Sequence, residues 1–325
     1  MVVTSVKSDV VDVTRQWREL CGPVIVLDPA SPRGSTWNPL EGVTGLRTAL
    51  HVTRELFATS PVATPDSAFW STHASKLTAA LFAVAVESNH SVFDVVEWLM
   101  SHLSYVPTSS DDAVSKVLHG YVAMEIKTFD GIVTTALATL DPWTIAQPLV
   151  NVRETLRQGG TVYLCAPRLD QRRFESLFRA VLRTLIEEQE VLAARHDAQP
   201  LLVVLDEAAS IAPLHDLDQM AATLSSSKVT FVTVFQDAAQ ITHRWGTAAR
   251  TLVNNHVYRM VFHGTLDPTT TELLPELVPD MATVSSLRRG RPGSAKLLAQ
   301  NLAPMTVRAR PWYSSPLRRR VPQSD

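Results

Sequence analysis

The chain has 325 residues, 45% hydrophobic and 19% charged, which allows one large domain or two smaller ones around a sizeable core. Thirty Lys and Arg against 32 Asp and Glu leave a net charge of −2, so the global field carries no nucleic-acid signature. The best candidate for a membrane span, 77–86 between Lys76 and Glu87, is far shorter than the roughly 20 residues a spanning helix needs, and reads as a buried helix.

Taken in chain order, the N-terminus MVVTSVKSD lacks the basic-then-apolar order of a signal peptide and reads as a strand over 2–6. Further strands are predicted at 24–27, 162–166, 201–205, 229–235 and 257–262, short, β-branched and separated by helical stretches. That alternation argues for βαβ units and a parallel sheet. Between the second and third strands lie more than a hundred residues with no convincing strand. There Trp70, Ala74, Leu77 and Leu81 fall at helical spacing, as do Val92, Phe93, Val96 and Leu99. A structureless loop of that length does not fit a compact domain, so residues 45–130 read as an all-helical insertion, with a Pro-rich loop near its start at 60–66. The longest helix is predicted over 171–195, with Phe174, Leu177, Phe178, Val181, Leu182, Leu185 and Ile186 on one face. These assignments divide the chain into a first core part (1–44), the insertion (45–130), a second core part (131–282) and a C-terminal strand with a basic tail (283–325). In the last part a strand is expected around 305–310. Arg288, Arg289, Arg291, Lys296, Arg308, Arg310 and Arg318 to Arg320 face almost no acids there. Such a tail could contact phosphates, or be simply a solvated end.

The most informative run is Leu201-Leu202-Val203-Val204-Leu205-Asp206-Glu207. Five apolar residues without alternation suit a strand buried on both faces, and acids at its end would lie on the carboxyl rim, where open α/β sheets bind ligands. This is the Walker B pattern, in which one acid holds Mg²⁺ and the next polarises the attacking water. The following strand ends in Gln236, ahead of a helix start at Asp237; this glutamine reads equally as a γ-phosphate sensor or as a polar cap. No glycine is followed by lysine, so the phosphate-gripping G-x-x-x-x-G-K-[ST] cannot be written anywhere in the chain. Lys7, the nearest substitute, lies on a different strand tip. Arg244, Arg250 and Arg259 follow the glutamine and could include an arginine that reaches a neighbouring subunit. Cys21 and Cys165 share no metal or redox spacing and fit a reducing cytoplasm, while His256 and His263 read as capping or packing residues.

Several stretches together resemble one family. They are Thr4-Ser5-Val6-Lys7-Ser8-Asp9, Val26-Leu27-Asp28-Pro29 with Trp37-Asn38-Pro39-Leu40, Phe69-Trp70, and Val162-Tyr163-Leu164-Cys165-Ala166-Pro167. The run ending in Asp206-Glu207 follows, then Phe235-Gln236-Asp237-Ala238-Ala239-Gln240-Ile241, then Trp245-Gly246 with Leu252-Val253-Asn254-Asn255. In this order they are similar to the type IV secretion coupling proteins, the TraG/TraD-like conjugative DNA-transfer ATPases, over nearly the whole chain.

The resemblance implies a RecA-like P-loop NTPase core with a mainly parallel sheet and an all-helical insertion. It also implies a hexameric motor that uses ATP and Mg²⁺ to deliver DNA or protein–DNA substrate, working with relaxase and relaxosome proteins and with channel components. By position, Asp206 would hold Mg²⁺ through water, Glu207 would be the catalytic acid, and Gln236 the sensor. Relatives carry membrane helices and a P-loop that would both precede Met1, so the expectation is an N-terminally truncated cytoplasmic motor portion, lacking the first strand and P-loop and inactive alone. The alternatives are a non-hydrolysing docking or assembly module of the same family, or a remnant whose sheet edge and core are exposed.

Overall fold

The computed structural model describes residues 1–6, 9–58, 64–212, 214–262, 269–270, 291, 293–299 and 302–316. Lys7, His263, Arg288, Arg289 and Arg318 to Arg320 lie outside the described residues. In chain order the elements begin with β1 (Val2–Ser5), α1 (Asp9–Glu19), β2 (Val24–Leu27) and β3 (Thr36–Trp37). Helices α2 (Leu46–Leu56), α3 (Pro65–Glu87), α4 (Val92–Met100), α5 (Asp112–Val122) and α6 (Ile126–Thr139) follow. Next come β4 (Leu149–Val150), α7 (Val152–Arg157), β5 (Thr161–Cys165), α8 (Gln171–Ala194) and β6 (Leu201–Leu205). The chain continues with α9 (Leu217–Thr223), β7 (Val229–Thr233), α10 (Ala238–Trp245), α11 (Ala249–Asn255), β8 (Tyr258–Phe262), β9 (Ser294–Ala299) and β10 (Met305–Arg308).

The fold is α/β, built on a five-stranded sheet of order β2-β5-β1-β6-β7 in which every neighbouring pair is parallel. Its core strands are those expected from the sequence, with one exception. β8 does not join them: it pairs antiparallel with β9, and β9 with β10, in a separate three-stranded sheet. The reason is visible along β8, where Tyr258, Met260 and Phe262 are exposed and the residues between them half-buried, an alternation that a sheet with one wet face tolerates and a doubly covered parallel strand does not.

The helical insertion forms because its longest element is apolar all round and is given neighbours on every side. Thr64 caps α3 by accepting from Ser67 N–H at 3.3 Å, and Pro65 sits at the first helical position, where its missing N–H costs nothing. From Leu77 to Ala85 every residue of α3 is buried, under α2, α4, α5 and α6. Gly131 lets α6 approach α3: a β-carbon there would come within 2.7 Å of the Trp70 ring. α6 runs across residue 130, where the sequence reading ended the insertion, so the helical layer continues to Thr139. The Trp143 indole N–H then donates to Trp37 O at 2.8 Å and anchors the layer to the β3 segment. Among the described residues no helix is long and apolar enough to cross a membrane.

The two faces of the sheet are covered unequally. On one, Val2, Val162, Leu164, Leu201, Val203 and Leu205 join the main core, to which α8, α9, α10 and α11 also contribute buried residues. On the other, α1 supplies Val11 to a small cluster with Val3, Tyr163 and Cys165, which Val204 only edges. The expectation that 201–205 would be buried on both faces is therefore corrected: Leu201, Val203 and Leu205 are buried, Leu202 and Val204 half-exposed. The strand is apolar on both sides, and the described chain covers one fully and the other in part.

Candidate functional site

The carboxyl ends of the parallel strands form an acidic rim. β6 delivers Asp206 and Glu207 to it. The Thr4 hydroxyl at the end of β1 donates to the Asp206 carbonyl at 2.8 Å and fixes the strand tip. Burial holds the Asp206 carboxyl above its usual range, and the charges of Glu207 and Asp9 push the same way, against a hydrogen bond from the Glu207 backbone. Uncompensated negative charge therefore gathers at this point. Glu207 has φ 50°, in the left-handed region that a branched or long side chain enters only with strain. Its carbonyl accepts from Ser210 N–H at 2.8 Å and Ile211 N–H at 3.2 Å, while Ala208 N–H donates to Val234 O at 3.2 Å. The turn after β6 is thereby locked, with the Glu207 side chain aimed along the rim.

Two amides meet that carboxylate. Gln236 Nε2 lies 3.4 Å from Glu207 Oε1, and Gln171 Nε2 lies 3.5 Å from Glu207 Oε2, long contacts that leave the oxygens able to take other partners. Gln236 is itself steadied by Gln240, which accepts from its backbone N–H and donates to its side-chain oxygen, each at 3.3 Å. Asp237 caps α10 by accepting from Gln240 N–H at 2.8 Å, as the sequence anticipated for a helix start there. The three expected residues thus come together. Gln171 was not expected: a glutamine opening a helix reads as an ordinary cap, yet it is 6% exposed and turned onto Glu207. Its place directly after β5 on the carboxyl rim was the available signal.

The other sequence features divide between site and scaffold. Asp28, at the tip of β2, shares a cleft of about 510 Å³ with Asp9, Asp12, Cys165 and Pro167. Burial raises the Asp28 carboxyl, and burial beside these acids pushes the Cys165 thiol up to about 12, so it is inert. The turn after Asp28 closes by Gly34 N–H to Ser31 O at 2.9 Å, and a β-carbon at Gly34 would meet Asp28 O at 1.8 Å, so only glycine fits. Trp37 to Leu40 is scaffold: Trp37 is fully buried and Glu41 caps α7 through Val152 and Arg153 N–H at 2.8 and 2.9 Å. Arg244 is engaged by Glu175. His256 packs as expected, between Leu252 O at 2.8 Å and Thr233 Oγ1 at 3.1 Å.

The site fits a magnesium nucleotide on one side only. Adjacent carboxylates, one raised by burial and by like charge, suit a hard cation held partly through water. Among the described residues no group of three or more His, Cys, Asp or Glu side chains could hold a metal ion by itself.

The family described as Type IV secretory system Conjugative DNA transfer matches residues 1–296. The chain belongs to that family. Among solved structures, the unbound bacterial conjugative coupling protein TrwB without its first 70 residues superposes with a TM-score of 0.73 at 15% identity, over 95% of this chain and 78% of that one. The TrwB complex with ADP and Mg²⁺ matches at a TM-score of 0.70 and 15% identity, over the same 95% and 78%. VirB4 of Thermoanaerobacter pseudethanolicus matches at 0.58 and 14% identity, over 95% of this chain and 81% of that one. These likenesses show the fold, a RecA-like α/β core of the TrwB kind. A search of curated protein sequences returned no match.

Proposed function

We propose that this chain is the cytoplasmic motor portion of a conjugative coupling protein, contributing the acid half of an ATP site whose hydrolysis drives DNA, or a relaxase–DNA complex, toward the secretion channel. The observation that carries the reading is the convergence of Asp206, Glu207 and Gln236 on one sheet rim, in a chain that belongs to the conjugative DNA-transfer family. Bound Mg²⁺ would neutralise phosphate charge and orient the triphosphate. Asp206 would hold the ion through its waters. Glu207, with both carboxylate oxygens only loosely engaged, would take the proton of the attacking water. Gln236, braced by Gln240, would donate its amide to the terminal phosphate. A hexameric ring fits a motor of this class.

The phosphate grip is not part of the 325 residues, which favours a second reading: a docking or assembly module that organises relaxosome or channel proteins without hydrolysis. A mating assay separates the two. If the chain works in a motor, Glu207→Gln lowers DNA transfer from donor cells about as far as deleting the gene does. If it only docks, Glu207→Gln leaves transfer unchanged while deletion abolishes it.

A further inference from the structure

A second cleft, of about 440 Å³, opens where the helical insertion meets the core, and it shares no residue with the acid rim. Its walls are α2, the turn before it at Glu41 and Gly42, and Arg153 in the first turn of α7. Arg47, His51 and Arg54 stand exposed at i, i+4 and i+7, which sets them in one row about 10 Å long on α2. Arg47 and Arg54 make no hydrogen bond or ion pair among the described residues. Arg47 also sits at a cost: it occupies the first turn of α2, at the positive end of the helix, and no acid in that turn offsets it. The acids nearby are already engaged. Glu41 accepts from the Val152 and Arg153 N–H groups at 2.8 and 2.9 Å, and Glu187 takes the His51 ring at 2.9 Å. Glu188, 4% exposed, is shared between Arg153 and Arg157 at 3.0 and 2.8 Å. A single carboxylate thus serves both guanidiniums, and the Arg153 Nε is buried without a hydrogen-bond partner. Gly42 leaves room beside that nitrogen, where a β-carbon would stand 3.5 Å from it.

We propose that this cleft binds a short chain of phosphates, inorganic or carried on a nucleotide, as a site separate from the acid rim. Guanidiniums with free N–H groups grip phosphate oxygens in pairs, and a row of cations suits several linked phosphates better than one. The volume is that of a small-molecule site, walled on one side by the Glu41 turn, so a compact ligand fits it. Such a ligand would bridge α2 to α7 and fasten the insertion to the core. α2 packs in turn on α8, the helix that carries Gln171 to Glu207. None of this requires the acid rim to bind ATP.

The test is calorimetric titration of the full chain with inorganic tripolyphosphate, in EDTA so that no metal assists the acid rim. Binding should be saturable and should raise the melting temperature. Arg47→Gln with Arg54→Gln should weaken it about tenfold or more, while the melting temperature of the free chain stays unchanged because both side chains are exposed. Glu207→Gln should leave binding as it is. ATP titrated in the same way separates the two sources. An affinity no higher than that of tripolyphosphate means that the phosphate chain alone is read, and a higher one means that the nucleoside is read with it. The proposal is overturned if tripolyphosphate shows no saturable binding or binds the double variant equally well. It is overturned too if an oligothymidylate binds the cleft more tightly, which would make it a nucleic-acid face. Binding lost in Glu207→Gln but kept in the double variant would move the ligand to the acid rim, against this site and in favour of the nucleotide reading.

Discussion

The two sides of the central sheet are made of similar residues and treated differently. Beneath α8, the side chains of Val162, Leu164, Val203 and Leu205 are buried beside Phe174 and Phe178. One residue along β6, Leu202 and Val204 are only half-buried, and on the neighbouring β7 segment Val232 and Val234 are 45% and 44% exposed. Hydrophobic patterning alone thus does not tell how completely each face of a strand is covered. Asp206, Glu207, Gln236 and the residues that brace them lie at the β6–β7 rim.

The largest contrast tests the two faces directly. Phe178→Ala, on the covered face, should cost about 3–5 kcal/mol in a urea titration, whereas Val232→Ser, on the bare face, should stay within about 0.5 kcal/mol. Equal losses would mean that the second face is covered in solution. A smaller effect concerns the polar layer under the covered side. Burial, then the charges of Arg179 and Arg244, lowers His215 from 6.5 to about 4. The unfolded chain takes up this proton near its ordinary value and the folded chain only near the lowered one. Stability is therefore fully present above 6.5 and is lost as pH falls toward about 4. His215→Asn should flatten that acid limb by about 1–2 kcal/mol, allowing for partial exposure; an unchanged limb would remove His215 from the core. The smallest effect belongs to the rim. Glu207→Gly should raise stability by up to about 1 kcal/mol by releasing the left-handed backbone, and a net loss would show that the Glu207 side chain is held for folding instead.

What could be read from the sequence followed from periodicity. The helical insertion was legible because Trp70, Ala74, Leu77 and Leu81 repeat at helical spacing, and the parallel strands because short β-branched runs alternate with helices. Asp206, Glu207 and Gln236 were legible because they end consecutive strands. The burial of 201–205 was misread, since an apolar strand looks the same whether its cover is present or not. β8 was misplaced because five residues carry no record of which strand they pair with. Gln171 was missed because its role depends on β5 and β6 lying two strands apart in one sheet, a long-range fact that no local pattern holds.

The central claim is that the rim is half of a nucleotide site, lacking a phosphate grip of its own. The direct measurement is Mg-dependent ATP hydrolysis by the 325-residue chain and its Glu207→Gln variant. The account expects both to remain at background. Steady turnover by the unaltered chain that Glu207→Gln abolishes would contradict it.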